Sequence, residues 1–200
     1  MATLNPMATR AKKAATYQDI IDLPENLVGE IVDGELIVSP RPIVRHARVA
    51  SVLGRSLGGP FDDGREGPEG WWILDEVELH WGDDVLVPDL AGWRRTRMPN
   101  LPDEPFITLA PDWACEILSP STARVDRGPK LRIYAREQVR HAWLVDPQAR
   151  TLEVFRREGE GWFFVGSFSG AERIRAEPFD AVELNLGTLW LPREKLEAAP

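Results

Sequence analysis

The sequence predicts an α+β fold: a central mixed β-sheet flanked by helices, with an added N-terminal hairpin and C-terminal strands. Three observations predict it. Strand-like runs dominate from residue 71 onward, two separate segments carry helical apolar spacing, and no internal repeat or low-complexity linker divides the chain. With 200 residues and 43% hydrophobic content the chain is long enough to bury a core without staples, so residues 16–200 read as one domain.

The elements follow in order. Thr16-Tyr17-Gln18-Asp19 offers a cap hydroxyl with a carboxylate three residues later, which starts a short helix through Leu23. Residues 28–38 form two strands around Asp33-Gly34, a dipeptide that tolerates the positive φ angles of a tight hairpin turn. From Val44 to Leu57 the apolar positions Val44, Ala47, Val49, Val52, Leu53 and Leu57 approximate helical spacing, while Arg45, Arg48 and Arg55 stand elsewhere on the surface. Residues 58–70, rich in Gly, Pro and Asp, read as loop. Strands are then predicted over 71–81, 85–93, 112–118, 141–145, 151–157 and 161–168, the last two joined by a hairpin at 158–161. A helix over 128–138, with Pro129 in its first turn and Leu131, Tyr134 and Ala135 toward the core, separates the third strand from the fourth. The tail adds a strand over 181–186 and a terminal helix after Pro192.

Composition excludes several classes. A single cysteine, Cys115, forms no internal disulfide; it reads as core packing in a cytoplasmic protein. No apolar run reaches the roughly 18–20 residues of a membrane helix. Residues 1–15 are basic and acid-free without a signal-peptide apolar stretch, and read as a disordered leader. The net charge of −8 weighs against nonspecific nucleic-acid binding only as an average. Residues 59–90 hold ten Asp or Glu and one Arg, whereas 41–55 carry four arginines and no acid, and 124–140 six basic residues against two acidic ones. The basic stretches can meet phosphates beside an acidic site.

Two carboxylates stand out. The run Val85-Leu86-Val87-Pro88-Asp89 ends in a proline that cannot donate to a sheet ladder, which aims the following aspartate out of the sheet. Glu116, inside the apolar run Trp113-Ala114-Cys115-Glu116-Ile117-Leu118, is costly to bury unless paired, protonated or bound to a cation. Two carboxylates at the ends of adjacent strands suit a hard divalent cation such as Mg²⁺, which keeps waters and substrate phosphates in its remaining positions. A basic group near the attacking water is then expected. Lys130, one of four lysines against twenty arginines, stands in the first turn of the helix after Glu116 with Asp126, Arg127 and Tyr134 nearby. Of the eight tryptophans, Trp72, Trp113 and Trp143 read as core, whereas Trp81 and Trp93 lie near strand ends and read as exposed.

These motifs occur in a specific order: Thr16-Tyr17-Gln18-Asp19, Gly29-Glu30-Ile31-Val32-Asp33-Gly34-Glu35-Leu36, His46, Val87-Pro88-Asp89-Leu90, Glu116-Ile117-Leu118-Ser119-Pro120-Ser121-Thr122, Asp126, Lys130, Tyr134 and Ala142-Trp143-Leu144-Val145-Asp146-Pro147. Over roughly residues 16–190 the series resembles the Uma family of predicted restriction endonucleases, within the PD-(D/E)XK nuclease superfamily. The resemblance implies a restriction-endonuclease-like core and a Mg²⁺-dependent endonuclease acting on DNA, with Mn²⁺ as a substitute and a homodimer as its assembly. By motif position it implies that Asp89 and Glu116 hold the metal and that Glu30 adds a further acid; a nuclease built this way would add the Ile117 carbonyl as a backbone ligand, and the basic stretches would turn Arg45, Arg48 and Arg127, with His46 and Tyr134, toward the substrate. One departure is plain: Leu118 occupies the usual lysine place, so Lys130 inherits that role from the following helix. Asp126 reads as a helix cap or an arginine partner.

Two other readings compete. A nuclease-like binding module without catalysis is motivated by Leu118 and the net acidity. A glycosidase fits the carboxylate pair but not the lysine.

Overall fold

The computed structural model describes residues 14–191, so the terminal helix expected after Pro192 and nearly all of the leader lie outside the described residues. The N-terminal helix α1 (Tyr17–Ile21) starts as expected, with the Asp19 carboxylate accepting from the Thr16 backbone N–H at 2.7 Å. Strands β1 (Leu27–Val32) and β2 (Glu35–Pro40) pair antiparallel about Asp33 and Gly34, whose φ values of 52° and 76° are those the tight hairpin demands. Helix α2 (Val44–Leu57) buries Val49, Val52, Leu53 and Leu57 and leaves its arginines outside. The segment expected to be loop after it begins instead as a π-helical turn, Gly58–Asp62, which carries the helix on and inserts Phe61 into the core.

The strands that follow are shorter than alternation predicts, and for one reason: the chain changes sheet. Residues 71–81 divide into β3 (Trp71–Asp75) and β4 (Glu78–Trp81) at Glu76, whose φ is 49°. Residues 84–94 divide into β5 (Asp84–Leu86) and β6 (Leu90–Arg94) at Val87-Pro88-Asp89. β3 and β6 belong to a six-stranded sheet, β4 and β5 to a five-stranded one. Both halves of each run satisfy strand patterning, so the break is set by which sheet each half joins.

The remaining elements are β7 (Phe106–Ile107), β8 (Trp113–Ile117), α3 (Ala123–Val125), a π-helical turn (Asp126–Lys130), α4 (Leu131–Arg136), β9 (His141–Asp146), β10 (Thr151–Glu158), β11 (Gly161–Ser169), β12 (Arg173–Ile174) and β13 (Leu184–Asn185). The helix expected over 128–138 therefore begins five residues earlier, and Pro129 sits inside a π turn rather than in a first α turn. The strand expected over 181–186 shrinks to β13 followed by a 3₁₀ turn, Leu186–Thr188.

The six-stranded sheet runs β11-β10-β9-β8-β6-β3, antiparallel except for the β8–β9 pair. That parallel pair needs a crossover, and the α3–α4 segment supplies it. The hairpin expected as an addition is the edge of the second sheet, β2-β1-β5-β4-β7. An α+β architecture of mixed sheets with flanking helices is thus observed, with two large sheets where one was expected.

Side-chain alternation along β8 divides the core. Trp113, Cys115 and Ile117 join the cluster under α2, where Phe179 sits among the rings of Phe61, Trp71, Trp113 and Trp143 at 4.7–5.7 Å. Ala114 and Leu118 join the opposite cluster, beneath α4, with Leu131, Ile133 and Tyr134. Trp81 and Trp93 also belong to this second cluster, at 7% and 0% exposure, correcting their reading as exposed. Trp81, itself in β4 of the second sheet, meets the Tyr134 ring of α4 edge-on at 6.2 Å, and the indole N–H groups of Trp81 and Trp93 donate to the Thr108 and Leu109 carbonyls.

Candidate active site

The two sheet-switching segments open a cleft of about 680 Å³ between the sheets, α2 and the loop 119–122. Asp89 stands where the chain leaves β5 for β6. Pro88 has no N–H, and the Val87 N–H donates to the Glu30 carboxylate at 2.7 Å, so the break in the ladder is satisfied from β1. Asp89 then accepts from the Ile117 N–H at 2.6 Å through Oδ2, while its Oδ1 lies 3.1 Å from His46 Nε2. One carboxylate thereby ties α2 to the end of β8.

Glu116 projects from the opposite face of β8 to Cys115 and is 3% exposed. Its Oε1 accepts from the Tyr134 hydroxyl in a short hydrogen bond and stands 2.9 Å from Lys130 Nζ. Among the described residues Oε2 takes no donor. Lys130, 2% exposed, also lies 2.8 Å from Glu30 and 3.7 Å from Asp126. The π turn sets this up: it places Asp126 and Lys130, four residues apart, on the face toward β8. Asp126 is neither a cap nor an arginine partner as expected. It is buried within the helical segment, paired with the lysine.

Burial and charge act against each other here. Burial opposes the charge of Lys130, but Glu116 and Glu30 hold it protonated, well above the usual lysine range. Burial pushes the Glu116 carboxyl well up, with Lys130 opposing and the carboxylates of Asp126, Asp89 and Glu30 reinforcing. Asp126 rises to about 6 through burial, partly offset by Lys130. Burial also lowers His46, yet its bond to Asp89 outweighs this and leaves the imidazole above its ordinary value.

The cleft brings together Asp89, Glu116, Ile117, Lys130, Glu30 and His46. It does not bring in every residue expected there. Tyr134 is fully enclosed behind Glu116, to which its hydroxyl donates. Arg127 turns away to Glu153, and Arg48 donates to the Thr188 carbonyl at 3.3 Å. Arg45 is exposed on α2 outside the cleft lining. Glu76 and Glu78 were missed at the rim, although both fall in the acidic stretch 59–90. So were the linked hydroxyls of Ser119, Ser121 and Thr122, which lie inside the quoted motif without a role of their own.

The donor set fits a hard divalent cation. Asp89, Glu116 and Ile117 line one cleft with room for water, and carboxylate oxygens are the donors such an ion takes. Among the described residues no three His, Cys, Asp or Glu side chains form a ready cage. Such a partial set matches an ion that completes its shell with waters and substrate oxygens.

Residues 14–187 match the model of a family described as "Uma2: Putative restriction endonuclease". The chain belongs to the Uma2 family. A crystal structure of a "putative nuclease" from Anabaena variabilis ATCC 29413 is similar to it at 23% identity, with a TM-score of 0.71 over 88% of this chain and 97% of that one. No curated protein matches. Among the described residues no helix is long and apolar enough to cross a membrane.

Proposed function

We propose that this Uma2 chain is a divalent-cation-dependent endonuclease that hydrolyses DNA phosphodiester bonds in the Asp89–Glu116–Lys130 cleft. The observation that carries the reading is the convergence of Asp89 and Glu116 on one cleft with the buried Lys130 ammonium 2.9 Å from Glu116. Asp89, Glu116 and the Ile117 carbonyl would hold Mg²⁺, or Mn²⁺ in its place. The bound ion supplies Lewis-acid polarisation of a phosphoryl oxygen and a bound water of lowered pKa.

The chain's own groups do the rest. The Ile117 N–H and His46 fix the Asp89 carboxylate, and the Tyr134 hydroxyl fixes Glu116, so both acids are oriented before substrate arrives. Lys130 offsets negative charge beside Glu116, where the phosphorane gains it in the transition state. Glu30 holds the lysine from the other side.

Cleavage of supercoiled plasmid across Mg²⁺, Mn²⁺ and EDTA, with wild type, Asp89→Asn and Lys130→Met, tests the reading. Cation-dependent cleavage lost in both variants supports it; equal cleavage in EDTA overturns it. One observation favours a nuclease-like binding module instead: Lys130 is enclosed and engaged by internal carboxylates. Calorimetric titration with Mg²⁺ separates the two, because the binding module has no need of the ion.

A further inference from the structure

At the lip of the cleft the chain exposes two consecutive β-branched apolar residues, the first of which lines the cleft. Ile43 is 63% and Val44 78% exposed, at the start of α2 and three and two residues ahead of His46. Their setting is stiff. Pro40 and Pro42 restrict the backbone before them, and the Arg41 guanidinium donates to the Glu25 carbonyl at 3.0 Å, tying the lip to the segment before β1. Among the described residues the pair stays largely in water, and a partner that covered it would gain from the apolar area buried.

The charge around it identifies the partner. Residues 41–55 hold four arginines, all exposed, and no acid. Val44, Arg48, Ser51 and Arg55 recur at intervals of four, three and four, so they share one outward ridge of α2, about 16 Å long. The ridge leads from two exposed guanidinium groups, one of which, Arg48, also donates to the Thr188 carbonyl at 3.3 Å, to an apolar tip at the cleft that Ile43, Asp89 and Glu116 line. Ser51 and Arg55 also line a groove whose other wall carries Asp75 and Glu76, so a phosphate is met from the solvent side of the ridge, away from those acids.

Resting on the nuclease reading for the identity of the substrate, we infer that Ile43 and Val44 form a wedge that enters a base step of duplex DNA, while Arg48 and Arg55 hold the flanking phosphates. An apolar wedge between base pairs unstacks them and kinks the duplex, at a cost repaid by the wider contact the bend permits. Here the kink would turn the backbone toward the cleft that holds Asp89 and Glu116. Both side chains are exposed, so polar replacements leave folding intact.

The test uses duplexes carrying 2-aminopurine at successive positions, with the full chain in EDTA to separate binding from cleavage. Wild type is expected to raise the fluorescence severalfold on binding. Ile43→Ser/Val44→Ser should abolish the rise and weaken duplex affinity about tenfold, with much smaller loss on a duplex containing a pre-melted bubble. Arg48→Ala/Arg55→Ala should keep the rise at saturation and flatten the salt dependence by about two charges. Equal unstacking by the wedge variant and wild type overturns the inference, as does a wild type that ignores duplex. It also falls if sedimentation shows that the wedge variant splits a wild-type dimer, since the patch is then a protein interface. A wild type that binds and unstacks duplex but cuts nothing under any cation defeats the nuclease reading alone.

Discussion

The two faces of β8 bury different kinds of side chain. On one, Trp113, Cys115 and Ile117 pack into an aromatic cluster around Phe179 without a buried charge. On the other, Glu116 sits among Lys130, Asp126 and Glu30, all at 8% exposure or less. Five residues of strand thus separate a layer that holds the fold from a layer that holds charges at a cost. Burying ions seldom improves stability over an apolar packing of the same shape. The charged face is therefore best understood through chemistry and the dry face through stability, and mutations should pull the two apart.

The largest effect belongs to the dry face. Phe179→Ala removes the ring at the centre of four others and should cost about 3–5 kcal/mol in denaturant unfolding, with the surviving folded fraction fully active. Lys130→Met should cost about 3 kcal/mol, because it leaves the carboxylates of Glu116, Glu30 and Asp126 buried without their shared cation. Its loss in plasmid cleavage should reach about 10²–10³-fold. A variant that is inactive only because it unfolds would erase the contrast, and circular dichroism beside the cleavage assay reads both.

Asp126→Asn tests the price of charge on the other face. The Asp126 carboxyl, raised from 3.8 to about 6, binds its proton more tightly in the folded chain than in the unfolded one. Stability from this group is present below the unfolded value and declines as pH rises through 6. The asparagine variant should therefore gain about 1–2 kcal/mol at pH 7–8, and the gain should vanish toward pH 4 in thermal melts. Cys115→Ala should show the smallest change, about 1 kcal/mol. Burial pushes the Cys115 thiol up, so thiol reagents should leave it untouched until the chain unfolds.

Local chemistry made parts of this architecture legible. Asp33-Gly34 demanded a hairpin, the spacing of Val49, Val52, Leu53 and Leu57 demanded a helix, and Pro88 marked Asp89 as leaving its strand. What stayed hidden depends on distant partners. The strand breaks at Glu76 and at Val87-Pro88-Asp89 follow from membership of two sheets, which alternation does not encode. Trp81 and Trp93 looked exposed because their partners, the Thr108 and Leu109 carbonyls and the Tyr134 ring, lie beyond the strands that carry them. Asp126 resembled a cap because its partner is a lysine one π turn away. The π register itself has no sequence mark beyond a proline that tolerates it.

That π turn makes the candidate site sensitive to length more than to composition. Each residue advances a helix by about 100°, so deleting one residue from 126–130 would restore ordinary winding while swinging everything before it relative to Leu131 and Tyr134. Lys130, Glu116 and Tyr134 could then keep their identities and still lose their common meeting point with Asp126. Substitutions in this stretch change the groups present, whereas an insertion or deletion changes the frame in which they meet. Surviving variation here should therefore accumulate as exchanges of residues at constant spacing.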